Sequence, residues 1–215
     1  MGRFKVYNTQ SLGEEIANAV SHGVGSLLAI AATVLVIVFA AVKSDAMSVV
    51  AVSLYGSSLI ILYTFSSLYH SLTNFTAKRV FQIFDHCSIF ILILGTYTPI
   101  CLNLLRGAQG WTLFGINAFC TVVGIVLNSI NLDRWHKLSL VLYVIMGWSV
   151  VASMKTVISL TPKNGLIFLF SGGIAYTVGI VFYKLKNVKY MHFVWHLFVL
   201  AGSILHYFFI LFYSL

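Results

Sequence analysis

Long apolar segments alternate with short polar stretches from about residue 20 to the last residues of the chain. Seven such segments, each of about 19–24 residues, predict helices long enough to cross a hydrocarbon core of about 30 Å. Because the connecting stretches are short, the pattern predicts an all-α membrane protein whose seven transmembrane helices form a single domain over residues 1–215. The predicted spans cover residues 20–42, 49–72, 84–105, 111–130, 138–160, 165–183 and 192–213.

The polar residues 1–19 are predicted to form a short cytoplasmic segment that ends in the first turn of a helix. Ser11 followed three residues later by Glu14 matches the capping box that starts helices. The first 20 residues contain Arg3, Lys5, Glu14 and Glu15 and lack the apolar core of a cleavable signal peptide. We therefore expect the first apolar helix to remain in the protein as a permanent span.

The composition agrees with a membrane protein. Hydrophobic residues make up 60% of the chain and charged residues only 8%, whereas a soluble domain carries about 25% charged residues. The net charge of +8 is concentrated in the predicted loops, where it favours contact with anionic lipid headgroups and sets topology. Membrane lipids are therefore the predicted partners, and nucleic acid is not.

The orientation follows from the distribution of Lys and Arg between the two sets of loops, because basic residues are retained on the cytoplasmic side. Nine basic residues fall on the side of the N-terminus and four on the opposite side. This distribution predicts a cytoplasmic N-terminus and an external C-terminus. The nine are Arg3, Lys5, Lys78, Arg79, Arg134, Lys137, Lys184, Lys186 and Lys189, and the four are Lys43, Arg106, Lys155 and Lys163.

Ionisable residues within the apolar segments gather at the predicted cytoplasmic ends of the helices. Successive helices alternate in direction, so residues that are distant in sequence reach the same depth. An ionisable side chain inside a span costs about 2.5–3.5 kcal/mol on insertion scales, so such groups are usually buried and paired. The residues at this depth are His22, His70, Asp85, His86, His192 and His196.

The strongest chemical signal is the start of the last span, where His192 and His196 lie four residues apart on one helix face. Imidazoles in this arrangement can share a metal ion, and three histidines with a carboxylate suit zinc. We predict that His70, His192 and His196 bind Zn²⁺ and that Asp85 holds or deprotonates the bound water. Ser66, one helical turn before His70, is predicted to bond a ligand histidine or that water; the alternative is a bond to its own helix's carbonyl.

Other histidines have separate predicted environments. His206 lies ten residues past the histidine pair, about 15 Å deeper, and is predicted to bond a neighbouring helix or line a cavity. His86 follows Asp85 directly and points about 100° away from it, so the two cannot face one ion equally. His136 is predicted to be solvated in a loop, and the role of His22 is left open by the sequence.

Four motifs resemble the hemolysin III proteins of bacteria, which belong to the progestin and adiponectin receptor superfamily. They are EEIANAVSHGVG at residues 14–25, SSLYH at 66–70, FDHCSIFILILGTYTP at 84–99, and HFVWH at 192–196 with a later histidine. The resemblance implies a seven-helix protein with a cytoplasmic N-terminus in the bacterial cell membrane. It also implies zinc bound by His70, His192 and His196 near the cytoplasmic side, with the family's aspartate at Asp85.

Three functions follow as alternatives. The resemblance implies ceramidase-like lipid hydrolysis in some eukaryotic members, which favours a zinc-dependent hydrolase of a lipid amide or ester. A second hypothesis is a sensor or regulator of membrane lipids in which the zinc is structural. The bacterial branch bears the name hemolysin and is associated with cytolysis or membrane homeostasis. A pore-forming cytolysin requires export or oligomerisation, and the sequence contains no amphipathic pore segment.

Overall fold

A computed structural model describes residues 10–215, and the remainder of the predicted N-terminal segment, with Arg3 and Lys5, lies outside the described residues. Within this range the chain is helical and contains no strand, which confirms the all-α prediction. A π-helical turn at Ile100–Leu105 extends the third helix, and a 3₁₀ segment at Ser149–Ser153 joins the fourth to the fifth. The helices are α1 (Leu12–Lys43), α2 (Ala46–Ser71), α3 (Phe75–Pro99), α4 (Gly107–Gly147), α5 (Met154–Leu160), α6 (Lys163–Lys184) and α7 (Met191–Tyr213).

Six helical stretches among the described residues are long and apolar enough to cross a membrane. Several extend beyond the predicted spans; α1, for example, begins at Leu12, where Ser11 and Glu14 form the predicted capping box. Large apolar side chains cover much of the outer surface, such as Leu27 and Phe119, each 70% exposed. An apolar exterior of this kind is stable when it faces lipid chains.

The stretch Gly107–Leu160 contains 54 residues, which as one straight helix would be about 80 Å long. It is interrupted at Asn131, whose backbone angles (φ −161°, ψ 92°) are not helical. The Asn131 side-chain oxygen accepts the N–H of Arg134 at 3.0 Å, which is the bond of a helix N-cap. Asn131 therefore ends one helical arm (residues 107–130) and starts a second arm (residues 132–160).

Three side-chain hydrogen bonds establish that the two arms run antiparallel. Their partners lie progressively farther from Asn131 in both directions, as expected in a helical hairpin. The arms correspond to the predicted spans 111–130 and 138–160, but the predicted loop at 131–137 was wrong, because Asn131 caps a helix that resumes at once. The bonds run from Ser139 Oγ to Asn128 Oδ1 (2.6 Å), from Asn117 Nδ2 to Ser149 Oγ (3.0 Å) and from Thr156 Oγ1 to Gln109 Oε1 (3.0 Å).

A close approach between α1, α2 and α7 positions the site. A β-carbon at Gly25 would lie 2.9 Å from both Tyr63 of α2 and Leu200 of α7, so a larger residue would force these side chains to shift. Tyr63 also donates a hydrogen bond from its hydroxyl to Ser203 Oγ of α7 at 2.7 Å. Small residues allow membrane helices to pack this closely, and the packing brings the start of α1 against the histidines of α7.

Candidate metal centre

Three histidines converge between α2 and α7. His70 lies near the end of α2, and His192 and His196 occupy successive turns at the start of α7. One ligand nitrogen from each ring can be chosen so that all three lie within 4.8 Å of one another. The ring centroids are 5.2 Å apart for His70–His192, 5.1 Å for His70–His196 and 4.8 Å for His192–His196. This group can hold a metal ion.

The tautomer of His70 is fixed by a carboxylate from α1. His70 Nδ1 lies 2.7 Å from Glu15 Oε2, while Lys78 Nζ lies 3.1 Å from the other Glu15 oxygen. A carboxylate can only accept, so Nδ1 carries a proton, and in the neutral ring Nε2 then presents a lone pair. His70 Nε2 is buried and has no hydrogen-bond partner within residues 10–215. This orphaned acceptor suits a metal, since a ligand histidine usually donates its other N–H to a carboxylate.

A serine of α1 gives His196 the same tautomer. Ser21 Oγ donates to the carbonyl of Asn18 at 2.9 Å, so its lone pair can accept from His196 Nδ1, 3.2 Å away. His196 therefore carries its proton on Nδ1 and presents Nε2 as the ligand atom. The ring is only 2% exposed, and its orientation is set by α1 as well as by its own helix.

Glu15 was predicted to lie in the polar segment before the first span and within the motif at residues 14–25, and its bond to His70 was not predicted. A periodicity signal was available. Glu15, Asn18 and His22 follow the i, i+3, i+7 spacing that places side chains on one helix face. Asn18 and His22 are both buried, so this face of α1 is directed toward the bundle and carries the carboxylate with it.

His22 lies against the metal centre without belonging to the group of three. Its ring stacks on that of His196, with centroids 3.6 Å apart and planes 9° from parallel. The edge of Tyr63 packs against it at 5.0 Å. His22 is 3% exposed, and neither ring nitrogen has a hydrogen-bond partner in the described part of the chain.

Asp85 and Ser66 line the same cavity as His22, His192 and His196. Asp85 lies 3.7 Å from His86 Nδ1 through its Oδ2 atom. Among the described residues Ser66 has no hydrogen bond to a ligand histidine, and the Nδ1 atoms of His70 and His196 are bonded to Glu15 and Ser21. Within residues 10–215 Ser66 also forms no bond to the carbonyl one turn earlier in its helix. Its hydroxyl is therefore bonded neither to a ligand histidine nor to its own helix. The alternative bond of Ser66 to a metal-bound water stays a prediction.

The cavity extends from the histidines into the interior and has a volume of about 130 Å³. A water molecule occupies about 10–15 Å³ on the same scale, so the space exceeds that of a single water. At its deep end His206 donates from Nε2 to the carbonyl of Leu169 at 3.0 Å, which confirms the predicted bond to a neighbouring helix. The apolar part of the wall includes Leu62, Ile89, Leu92, Ile93, Leu140, Val144, Ile180 and Val199.

The predicted solvated loop position of His136 was wrong. His136 lies in the second arm of the α4–α5 hairpin, is half-buried and lines the cavity. Its Nε2 atom is 3.4 Å from the hydroxyl of Tyr183, which is also 3.5 Å from Nε2 of His86. This error has the same cause as the wrongly predicted loop at residues 131–137. The helix resumes directly after Asn131, so His136 lies in a helix.

The sequence is similar to known proteins over most of its length. A family model described as Haemolysin-III related matches residues 10–207. Hemolysin-3 of Bacillus cereus is 41% identical over 207 residues, covering 96% of this chain and 94% of that protein. Hemolysin-3 homolog of Bacillus subtilis (strain 168) is 41% identical over 203 residues, covering 94% and 95%. Monocyte to macrophage differentiation factor of Homo sapiens is 27% identical over 166 residues, covering 72% and 66%.

The predicted resemblance is thus confirmed over nearly the whole length of the chain. The protein belongs to the hemolysin III family of membrane proteins.

Proposed function

We propose that this protein is a zinc-dependent hydrolase that cleaves an amide or ester bond of a lipid within a bacterial cell membrane. The observation that carries the proposal is the convergence of His70, His192 and His196 beside a largely apolar cavity, which His192 and His196 line. Asp85 lies in the wall of that cavity. Ligand nitrogens, a carboxylate and space for an acyl chain are the parts that such a reaction requires.

The proposed topology is a single domain with seven spans, a cytoplasmic N-terminus and an external C-terminus. The antiparallel arms of the α4–α5 hairpin support two spans in that stretch rather than one. The excess of Lys and Arg on the side of the metal centre supports its cytoplasmic location. Reporter fusions to both ends test this arrangement, and reporters in the same compartment would contradict an odd number of spans.

Zinc fits the donor set. Three neutral imidazoles are a known catalytic zinc environment that leaves one position for another ligand. The bonds of Glu15 to His70 and of Ser21 to His196 direct the two Nε2 lone pairs inward. Zinc bound there would polarise an acyl carbonyl and lower the pKa of a bound water to about 7.

The residues of the chain would then divide the remaining work. Asp85 accepts the proton of the attacking water and returns it to the leaving amine or alcohol, a general acid–base contribution of about 10²–10⁴-fold. Ser66, free of a bond to the ligand histidines, can donate to the same water. The apolar wall binds the acyl chain and excludes bulk water from the reacting bond.

A second candidate is a lipid sensor in which zinc has a structural role. The specific observation in its favour is that the ligands join α2 to α7 while Glu15 joins α1 to α2. A metal in this position cross-links three helices, so a lipid in the adjacent cavity can change their packing without being cleaved.

The names of the Bacillus relatives state hemolysis for those proteins, and a red-cell lysis assay tests that activity here.

The deciding experiment measures hydrolysis of short-chain ceramide and phospholipid esters by the purified protein in lipid nanodiscs. Zinc content and melting temperature are measured in parallel for wild type, Asp85→Asn and the control Asp133→Asn. Asp133 pairs with Arg79 on the surface and does not line the cavity. If the protein is a hydrolase, Asp85→Asn should lose activity while it retains zinc, and Asp133→Asn should remain active. Absence of activity in wild type, with zinc and stability lost together in Asp85→Asn, would instead support the sensor.

A further inference from the structure

His22 is a polar residue of the cavity wall with two unpaired ring nitrogens. Several neighbouring polar groups of the wall have protein partners: Tyr97 and Tyr143 donate to backbone carbonyls, and Trp148 donates to Thr177. Both ring nitrogens of His22 are buried, and neither has a partner among residues 10–215. His22 is therefore a buried lining residue whose donor and acceptor nitrogens are both unpaired within this part of the chain.

Buried polar groups are hydrogen-bonded in the great majority of folded proteins, because leaving one unpaired is energetically costly. A neutral imidazole always has one donor nitrogen and one acceptor nitrogen. The ring of His22 cannot swing away to find partners, because His196 stacks on its face and Tyr63 packs its edge against it. A ligand that enters the cavity lined by His22 is one source of such a partner.

The stacking also indicates that His22 is not a fourth metal ligand. An imidazole uses its nitrogen lone pairs and N–H bonds in the plane of its ring. Because the ring of His22 stacks on that of His196, with centroids 3.6 Å apart and planes 9° from parallel, an ion in the plane of the His196 ring lies out of the plane of the His22 ring. His22 accordingly lies outside the group whose ligand atoms approach within 4.8 Å.

We propose that His22 is a substrate-contacting residue whose ring N–H donates a hydrogen bond to the acyl oxygen of the lipid in the cavity. The inference rests on the proposed function and assigns one residue to the recognition of its substrate class, an acyl lipid. The polar end of the cavity also contains Asp85, a carboxylate that accepts hydrogen bonds when ionised. An acyl oxygen needs a donor, and His22 supplies one directly beside the metal centre.

The probe that tests this contact is 2-undecanone labelled with ¹³C at its carbonyl, compared with undecane. The ketone has an acyl-type oxygen but no bond that the protein can hydrolyse, and the alkane has the same chain without the oxygen. Affinity and the ¹³C shift of the bound carbonyl are measured for zinc-loaded wild type and His22→Phe in detergent. Ser26→Ala is the control on α1, because Ser26 bonds Thr64 and does not line the cavity.

We expect the carbonyl resonance to move downfield on binding to wild type, as it does when a carbonyl accepts a hydrogen bond. His22→Phe keeps a ring for the stack but should remove that component of the shift and weaken ketone binding about 2- to 12-fold. Undecane binding should be unchanged, and Ser26→Ala should behave as wild type. His22→Asn and His22→Gln place an amide N–H near Nδ1 and Nε2 respectively, so one of them should restore the shift.

Equal ketone affinity and equal carbonyl shift in wild type and His22→Phe, at equal zinc content, would overturn the proposal. So would a ketone that does not bind wild type, or a loss of affinity that affects undecane equally. If His22→Phe does not fold, the ¹⁵N ring resonances of wild type decide, assigned by their absence in His22→Gln. They must respond to the ketone and not to undecane.

These outcomes are separable from those of the hydrolase assay. Ketone binding that depends on His22 in a protein without hydrolytic activity would retain the contact and reject the hydrolase. Hydrolysis by a protein whose ketone binding does not depend on His22 would support the hydrolase and reject the contact.

Discussion

The bond between Glu15 and His70 gives a prediction that the histidine motifs alone do not. Glu15→Ala removes the acceptor at 2.7 Å from His70 Nδ1 and leaves the ring free to rotate or change tautomer. It also leaves Lys78, now 3.1 Å from a Glu15 oxygen, as an uncompensated cation beside the site. Both effects disfavour a bound dication, so metal affinity should fall although no ligand atom has been removed.

The expected magnitude follows from the position of Glu15 behind a ligand. Loss of a carboxylate that orients a metal-bound histidine typically costs 10–100-fold in affinity, or about 1.4–2.7 kcal/mol. Glu15→Gln keeps an acceptor oxygen without the charge and should lie between wild type and Glu15→Ala. The double variant Glu15→Ala/Lys78→Ala should recover part of the loss, because it removes the unpaired cation.

The assay is competition for zinc between the purified protein and a chelator of known affinity, in the same detergent for every variant. Asp133→Ala is the matched control, because it removes a carboxylate paired with Arg79 at 2.8 Å outside the histidine group. Zinc affinity in Glu15→Ala equal to that of the control would refute the reasoning, provided that His70→Ala loses zinc in the same assay.

Three further predictions concern other parts of the molecule. Asp85→Asn should retain zinc and melting temperature but lose at least about 100-fold in hydrolysis; parallel loss of zinc would contradict a purely catalytic role. Gly172→Ala should lower stability by about 1–3 kcal/mol, because its β-carbon collides with His206; an unchanged melting temperature would exclude this packing. The backbone N–H of Ser48 holds the pKa of Asp45 below its ordinary value, so this carboxylate stabilises the fold above about pH 3.9 and loses its effect as the pH falls through the lower folded pKa. The melting-temperature difference between wild type and Asp45→Ala should therefore shrink from pH 7 to about pH 2, and a constant difference would contradict the assignment.

The sequence predicted the features that depend on helical periodicity. The apolar segments gave the all-α class, and the four-residue spacing of His192 and His196 placed both rings on one face. Alternating helix directions predicted that His70 would reach the same depth, which the convergence of the three rings confirms. The capping box of Ser11 and Glu14 was also predictable, because an N-cap depends on neighbours within one turn.

Features that depend on contacts between helices were not predictable in the same way. The bond of Glu15 to His70 joins residues 55 positions apart, and the stack of His22 on His196 depends on the close approach that Gly25 allows. The break at Asn131 was predicted as a loop of seven residues, since a single capping residue leaves little trace in an apolar pattern. The solvated position predicted for His136 failed for the same reason.

The most direct test of the central claim is the metal content of the purified protein and of its three histidine variants. Elemental analysis should give about one zinc per wild-type chain. His70→Ala, His192→Ala and His196→Ala should each lose most of it, while His206→Ala, whose ring bonds Leu169 instead, should retain it. Undiminished zinc in the three ligand variants, or a wild-type protein that binds no zinc when supplied with it, would contradict the assignment.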